Sequence, residues 1–196
     1  LEWSCDPVEA LASSHHKATI AWRQVRQPGK IHRSSIDGVL IACIYLPNGN
    51  PQPGPKFDYK MKWFSRLARH AARLQKNDHP IILAGDYNVA PTNLDIYPTK
   101  SWATDALVQP APRKSFAALL AKGWTDAIRE LYGDERVYTF WTCWRHRYEQ
   151  DHGLRLDHFL LSKTSAIKLV EGGIDGGVRG EENASDHAPV WIRLSK

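Results

Sequence analysis

Pro80-Ile-Ile-Leu-Ala-Gly-Asp-Tyr-Asn-Val-Ala-Pro91 is the stretch on which the fold turns. Its apolar half, Ile81 to Ala84, is short and is punctuated by Pro80 and Gly85, which marks a fully buried strand in place of a helix. The polar half carries Asp86 and Asn88 at i and i+2, so both point to one side of the chain where it stays extended.

The neighbouring segments fit that reading. Upstream, Gly38 to Leu46 is a near-continuous apolar run closed by Pro-Asn-Gly-Asn-Pro-Gln-Pro-Gly-Pro at 47–55, a second buried strand and a rigid loop. Phe57, Met61, Phe64, Leu67, Ala68, Ala71 and Leu74 then recur every three or four residues. Lys60, Lys62, Arg66, Arg69 and Arg73 lie between them, which predicts an amphipathic helix with a solvated basic face. Downstream, a short helix capped by Ser115 runs to Leu120 and a second covers Thr125 to Tyr132. Strands are predicted at Val137–Thr142, Leu156–Leu161 and Pro189–Leu194, the last with Val190, Ile192 and Leu194 on one face. Buried strands with a few amphipathic helices predict an α/β fold of two packed sheets covered by helices. Before Gly38 the pattern fails: residues 1–35 show no alternation and only a weak helix at Pro7–Ser13, so they read as a leader, and 36–196 as the domain.

The chain has 196 residues, 42% of them hydrophobic, enough for one sizeable core and too apolar for disorder. A formal charge of +5 leans toward polyanionic partners. No apolar run reaches the ~20 residues a bilayer needs, so no membrane partner is expected. Cys5, Cys43 and Cys143 are dispersed and odd in number, which favours a reducing, cytoplasmic compartment, with Cys143 a packing residue.

Three clusters flank apolar strands: Asp86 with Asn88, Asp157 with His158, and Asp186 with His187. An Asp or Asn after a strand is ordinarily a turn former or cap. Three such clusters can instead converge on one site, and their oxygen donors suit Mg²⁺ better than zinc, for which the Cys and His spacings are wrong. Phe140, Leu154 and Leu156 read equally as core or as pocket wall.

Tyr-Leu-Pro-Asn-Gly at 45–49, Gly-Asp-Tyr-Asn-Val-Ala-Pro at 85–91, Tyr-Thr-Phe-Trp at 138–141, Gly-Leu-Arg-Leu-Asp-His at 153–158 and Ser-Asp-His-Ala-Pro-Val at 185–190 resemble, in this order, the exonuclease III family of the endonuclease/exonuclease/phosphatase superfamily. The resemblance implies a four-layer α/β sandwich and Mg²⁺-dependent hydrolysis of DNA phosphodiesters, with Mn²⁺ as a substitute. It further implies base-excision repair of double-stranded DNA, as a 3′-to-5′ exonuclease and abasic-site endonuclease acting at abasic sites and 3′ ends, by a monomer. Asp86 would orient or deprotonate the attacking water, helped by Asn88. His187, steadied by Asp157, would face the phosphate, and Tyr45 and Asn48 would contact it. Asp86, Asn88 and Asp186 would be the metal-site groups, and Phe140, Leu154 and Leu156 the walls for an extruded abasic sugar.

The family's N-terminal Trp-Asn-x-Asn strand and strand-end metal glutamate have no counterpart before Gly38; Glu2 and Glu9 follow no apolar strand. The expectation is therefore an incomplete domain lacking its N-terminal strands, with residues 1–35 out of frame or unrelated, and with weak or no activity. Two other functions compete: a superfamily phosphoesterase acting on phosphoinositides or nucleotides, and a non-catalytic DNA-binding fragment.

Overall fold

The computed structural model describes residues 19–21, 31–76, 78–144 and 146–195. Eight strands are present among them: β1 (Thr19–Ala21), β2 (Ile31–Ile36), β3 (Val39–Tyr45), β4 (Ile81–Asp86), β5 (Thr125–Asp126), β6 (Asp157–Leu161), β7 (Leu169–Ile174) and β8 (Val190–Leu194). The α-helices are α1 (Pro55–Leu74), α2 (Pro110–Leu120), α3 (Ala127–Tyr132) and α4 (Lys163–Ala166). The strands form a five-stranded sheet in the order β2-β3-β4-β6-β5 and a three-stranded sheet in the order β1-β8-β7.

Every residue of β4 is buried, because both faces of the larger sheet are covered. Alternation divides its side chains between two cores. Ile81 and Leu83 join Ala42, Ile44 and Leu160 under Phe64, Leu67 and Ala71 of α1 and Phe116 and Leu119 of α2. Ile82 and Ala84 join Ile41, Phe159 and Leu161 against Val190 and Ile192 of the second sheet. The two packed sheets flanked by helices are the predicted architecture. No helix among the described residues is long and apolar enough to cross a membrane.

Several elements differ from the sequence reading. Ile31–Ile36, partly within the stretch read as leader, is a strand joined to β3 by a tight hairpin at Asp37–Gly38, both with positive φ. It shows no clear alternation because His32 to Ser35 are all exposed on the outer strand of the sheet. Thr19–Ala21 also pairs, antiparallel, with β8. The weak helix at Pro7–Ser13, and Glu2 and Glu9, lie outside the described residues. Helix α2 starts at Pro110, five residues before Ser115, since proline suits the first turn, where an N–H has no helical partner. Thr125 and Asp126 pair with β6, and the Asp126 side chain caps α3 by accepting from the Arg129 amide.

Val137–Thr142 is not a strand. Phe140 makes only isolated bridges to Leu154 and His187, because the Thr139 hydroxyl accepts from the amides of Leu156 and Asp157 and replaces part of a backbone ladder. Leu169–Ile174, which no pattern marked, is one: Gly173 leaves the space that the Trp191 ring fills, so apolar alternation is lost. Cys143 is exposed, its Sγ 3.6 Å from Arg179 Nη2, so it is not the packing residue expected.

Gly85 fixes the geometry where β4 meets β3. Its φ is 136°, and a Cβ there would lie 2.0 Å from the Ile44 carbonyl oxygen. Gly85→Ala is therefore expected to cost roughly 3 kcal/mol. In a chain of this size that lowers Tm by about 6–12 °C, readable by thermal melting.

Candidate active site

Three neighbouring strands end at one level. In the register of the larger sheet Tyr45 of β3 pairs with Asp86 of β4, and Asp86 pairs with Asp157 of β6. The backbone ladder thus sets a tyrosine and two carboxylates side by side before any side-chain interaction is considered. The loops that follow β3 and β4 then turn over this edge.

Asp86 is held by the residue two positions on. The Asn88 backbone amide donates to Asp86 Oδ1 at 2.7 Å and its side-chain amide to Oδ2 at 2.8 Å, while the same amide nitrogen also donates to the Leu46 carbonyl. Asn88 adopts a positive φ of 48°, which asparagine tolerates well. Asn48 Nδ2 donates to Asn88 Oδ1 at 3.2 Å, linking the β3 loop to the β4 loop.

Beneath both loops lies Lys60 of α1, completely buried, a correction to the solvated face read for it. Its ammonium donates to the carbonyls of Asn48, Asn88 and Ala106 at 2.9, 2.6 and 3.1 Å. Helix periodicity places position 60 with Phe64, Leu67 and Ala71 on the inner face, and the loops supply the acceptors a buried cation needs. Gly49, with φ 93°, crosses so close that a Cβ would meet the Lys60 stem at 2.7 Å. Burial lowers the Lys60 pKa to about 8, against the opposing pull of Asp86 and Asp105.

The third arm comes from the segment before β8. His187 Nδ1 lies 2.7 Å from Asp157 Oδ2, which also accepts from the Thr139 hydroxyl at 2.7 Å. Burial alone would lower the imidazole pKa, but the Asp157 charge and hydrogen bond, with Asp86 and Asp186 nearby, raise it to about 10. The ring is therefore a cation at neutral pH. Burial pushes Asp86 up to about 7 with help from Asp157; His187, the Asn88 amide and Lys60 restrain the rise.

These groups face one cavity of about 420 Å³. Tyr45, Asn48, Asp86, Asn88, Asp186 and His187 supply its polar lining, and Leu107, Phe140 and Leu156 its apolar wall. Leu154 does not line it: fully buried, it packs behind with Ala90, Leu107 and Leu156. Leu107 takes a wall position that no strand-end pattern marked. Among the described residues no three His, Cys, Asp or Glu side chains form a ready cage for a metal ion. The cavity's oxygen donors are those of Asp86, Asn88 and Asp186, with Tyr45 and Asn48 beside them.

His158, adjacent to Asp157, points to the opposite face of β6, as strand alternation requires. There Arg155 donates to Asp95 at 2.7 Å, to both oxygens of Asp126 at 2.9 and 2.8 Å, and to His158 Nδ1 at 2.9 Å. A guanidinium only donates, so His158 Nδ1 accepts and Nε2–H donates to the Val89 carbonyl at 3.0 Å. The loop carrying Asn88 is thus tied to β6 as well as to α1.

The sequence pattern of the endonuclease/exonuclease/phosphatase family matches residues 10–187. The chain belongs to this family. Within the endonuclease/exonuclease/phosphatase family it is 31% identical to the zebrafish (Danio rerio) DNA repair nuclease APEX1 over 168 residues, 85% of this chain and 52% of that protein. It is 28% identical to the Bacillus subtilis exodeoxyribonuclease over 170 residues, 86% of this chain and 65% of that protein. The chain thus spans between half and two thirds of these relatives' lengths. Among solved structures, a 3′ phosphatase, NExo, from Neisseria bound to a product DNA hairpin superposes with a TM-score of 0.80 at 30% identity, over 85% of this chain and 65% of that one.

The raised Asp86 pKa has a consequence for stability. A carboxyl whose folded pKa exceeds its unfolded value of ~3.9 opposes folding progressively as pH rises from that value to about 7. Asp86→Asn removes this penalty. The Tm difference between variant and wild type is expected to shift in the variant's favour from pH 4 to pH 7.5 in metal-free buffer; a pH-independent difference would contradict the assignment.

Proposed function

We propose that this chain is the catalytic part of a DNA phosphodiesterase of the exonuclease III type, a repair nuclease acting at abasic sites and 3′ ends of double-stranded DNA. The observation that carries this reading is the placement of the cationic His187, paired behind the cavity with Asp157, and of the buried Asp86 on one cavity with an apolar wall. Relatives named as a DNA repair nuclease and an exodeoxyribonuclease, and a neighbour bound to a product DNA hairpin, support DNA as the substrate.

Hydrolysis of a phosphodiester adds water to phosphorus and expels an alkoxide, so negative charge builds on an already anionic group. His187, charged at neutral pH, offsets that charge, and Asp157 keeps the ring oriented through Nδ1. Asp86, fixed at the cavity by both Asn88 hydrogen bonds, would orient the attacking water and take its proton. Asn88 holds both carboxylate oxygens of Asp86 in place, and Asn48 and Tyr45 line the cavity as phosphate contacts. Phe140, Leu107 and Leu156 offer an apolar wall to an extruded abasic sugar.

The donor set fits a hard divalent cation, Mg²⁺ with Mn²⁺ as substitute, because such an ion needs only one or two carboxylates beside waters and substrate phosphate. Asp86 and Asp186 would hold it, with Asn88 alongside. When bound, the ion supplies charge neutralisation at phosphate and acidifies a bound water. The dispersed Cys5, Cys43 and Cys143 are in keeping with a reducing cytoplasm, where the chain would act as a monomer.

A duplex with a single abasic site tests the reading. Cleavage is expected with Mg²⁺ and not with EDTA, and Asp86→Ala and His187→Ala are each expected to slow it by at least ~100-fold. Cleavage that survives EDTA or either substitution would overturn the site; hydrolysis of an inositol phosphate with none of abasic DNA would overturn the substrate class.

A further inference from the structure

Helix α1 carries a run of cations, Arg66, Arg69 and Arg73, for which the described residues supply no ion-pair partner. Its one acid is Asp58 in the first turn, so Arg66, Arg69 and Arg73 have no carboxylate three or four residues away on the helix. Trp63, Arg66, His70 and Arg73, spaced by three, four and three, share one flank. That flank adjoins β2 around a second cavity of about 370 Å³, with a floor of Ile31, Trp63 and Leu67 and a rim of Arg66, Arg69, His70 and Arg73.

None of the rim side chains makes a hydrogen bond or ion pair with another described residue, and His70 Nε2 is shielded from solvent without a partner. Burial, then the charges of Arg33 and Arg73, hold the His70 pKa below its ordinary value, so cations dominate its surroundings. Like charges crowded over an apolar floor repel one another and weaken the compact state. A phosphate backbone would reverse that repulsion.

The spacing fits such a ligand. Arg66 to Arg73 covers about 10 Å of helix axis, close to the rise of three nucleotides along one strand of a duplex. The rim lies about 9–20 Å along α1 from Lys60, whose ammonium bonds the Asn48 and Asn88 loops of the cleavage cavity. We infer that this flank of α1 is a second contact for the phosphate backbone of nucleic acid, separate from the cleavage cavity and engaging the same DNA beyond it. The inference rests on the DNA reading above.

Fluorescence anisotropy with an intact 30-base-pair DNA duplex in EDTA, at several salt concentrations, tests it on the full chain. For R66A/R69A/R73A the slope of log affinity on log salt is expected to become shallower by roughly 2–3, since each phosphate contact contributes about 0.9. Affinity at low salt is expected to fall by at least about 10-fold. R66K/R69K/R73K is expected to retain the wild-type slope, because the contact is one of charge. Melting curves establish that both variants fold, and cleavage of a short abasic duplex is expected to be unchanged in both. An alanine variant that binds with wild-type slope and affinity overturns the inference, as does a loss that the lysine variant fails to restore. A wild-type chain that cuts no abasic DNA while the alanine variant still loses slope would sink the nuclease reading alone; normal cleavage with an unaltered slope would sink the second contact alone.

Discussion

One ammonium group organises the mouth of the cleavage cavity. Lys60 Nζ donates to carbonyls from the loop after β3, the loop after β4 and the segment before α2, three pieces of chain separated by 28 to 46 residues from the lysine or by 12 within its own approach. Removing a cation from water is costly, and here three carbonyl acceptors and the fields of Asp86 and Asp105 offset it. Asn48 and Asn88 hold their positions because their own backbones are bonded to this group. The Asn88 side chain passes that constraint to Asp86 through hydrogen bonds to both oxygens.

A second buried charge system holds the same loop. Arg155 satisfies Asp95 and Asp126, and through His158 reaches the Val89 carbonyl. Arg155 keeps the Asp126 carboxyl well below the usual carboxylate range despite burial, which would otherwise raise it. The short loop from Asp86 to Ala90 is therefore held at two successive carbonyls, those of Asn88 and Val89. Asp157 and His158, adjacent in sequence, serve different systems because successive strand residues face opposite ways: the first orients His187, the second braces the loop that carries Asn88.

Much of this was legible in the sequence for a physical reason. Buried strands of a covered sheet are continuously apolar, so Val39–Tyr45 and Ile81–Asp86 stood out, and polar residues at their ends marked the level of Tyr45, Asp86 and Asp157. The α1 periodicity was equally plain, but periodicity sorts residues by type, and type misled at Lys60: an inward-facing lysine is counted as surface unless its carbonyl partners are known. The partners come from chain segments whose proximity only the tertiary fold creates. Ile31–Ile36 was hidden because an outer strand with an exposed middle carries no alternation, although Asp37–Gly38 was an available hairpin signal. Leu154 was assigned to the cavity because apolar residues beside a site look alike; its complete burial places it one layer back, and Leu107 stands nearer.

The hydrogen bonds around Asp86 also decide how this cavity is lost. Asp86 closes a strand whose every residue is buried, and its partner Asn88 is tied to Leu46 on the neighbouring strand's loop, to α1 and, through Val89, to β6. A loop anchored at so many points in the core has no inexpensive partial opening. Heat inactivation should therefore track global unfolding, with the carboxylate keeping its native geometry until the sheet itself comes apart.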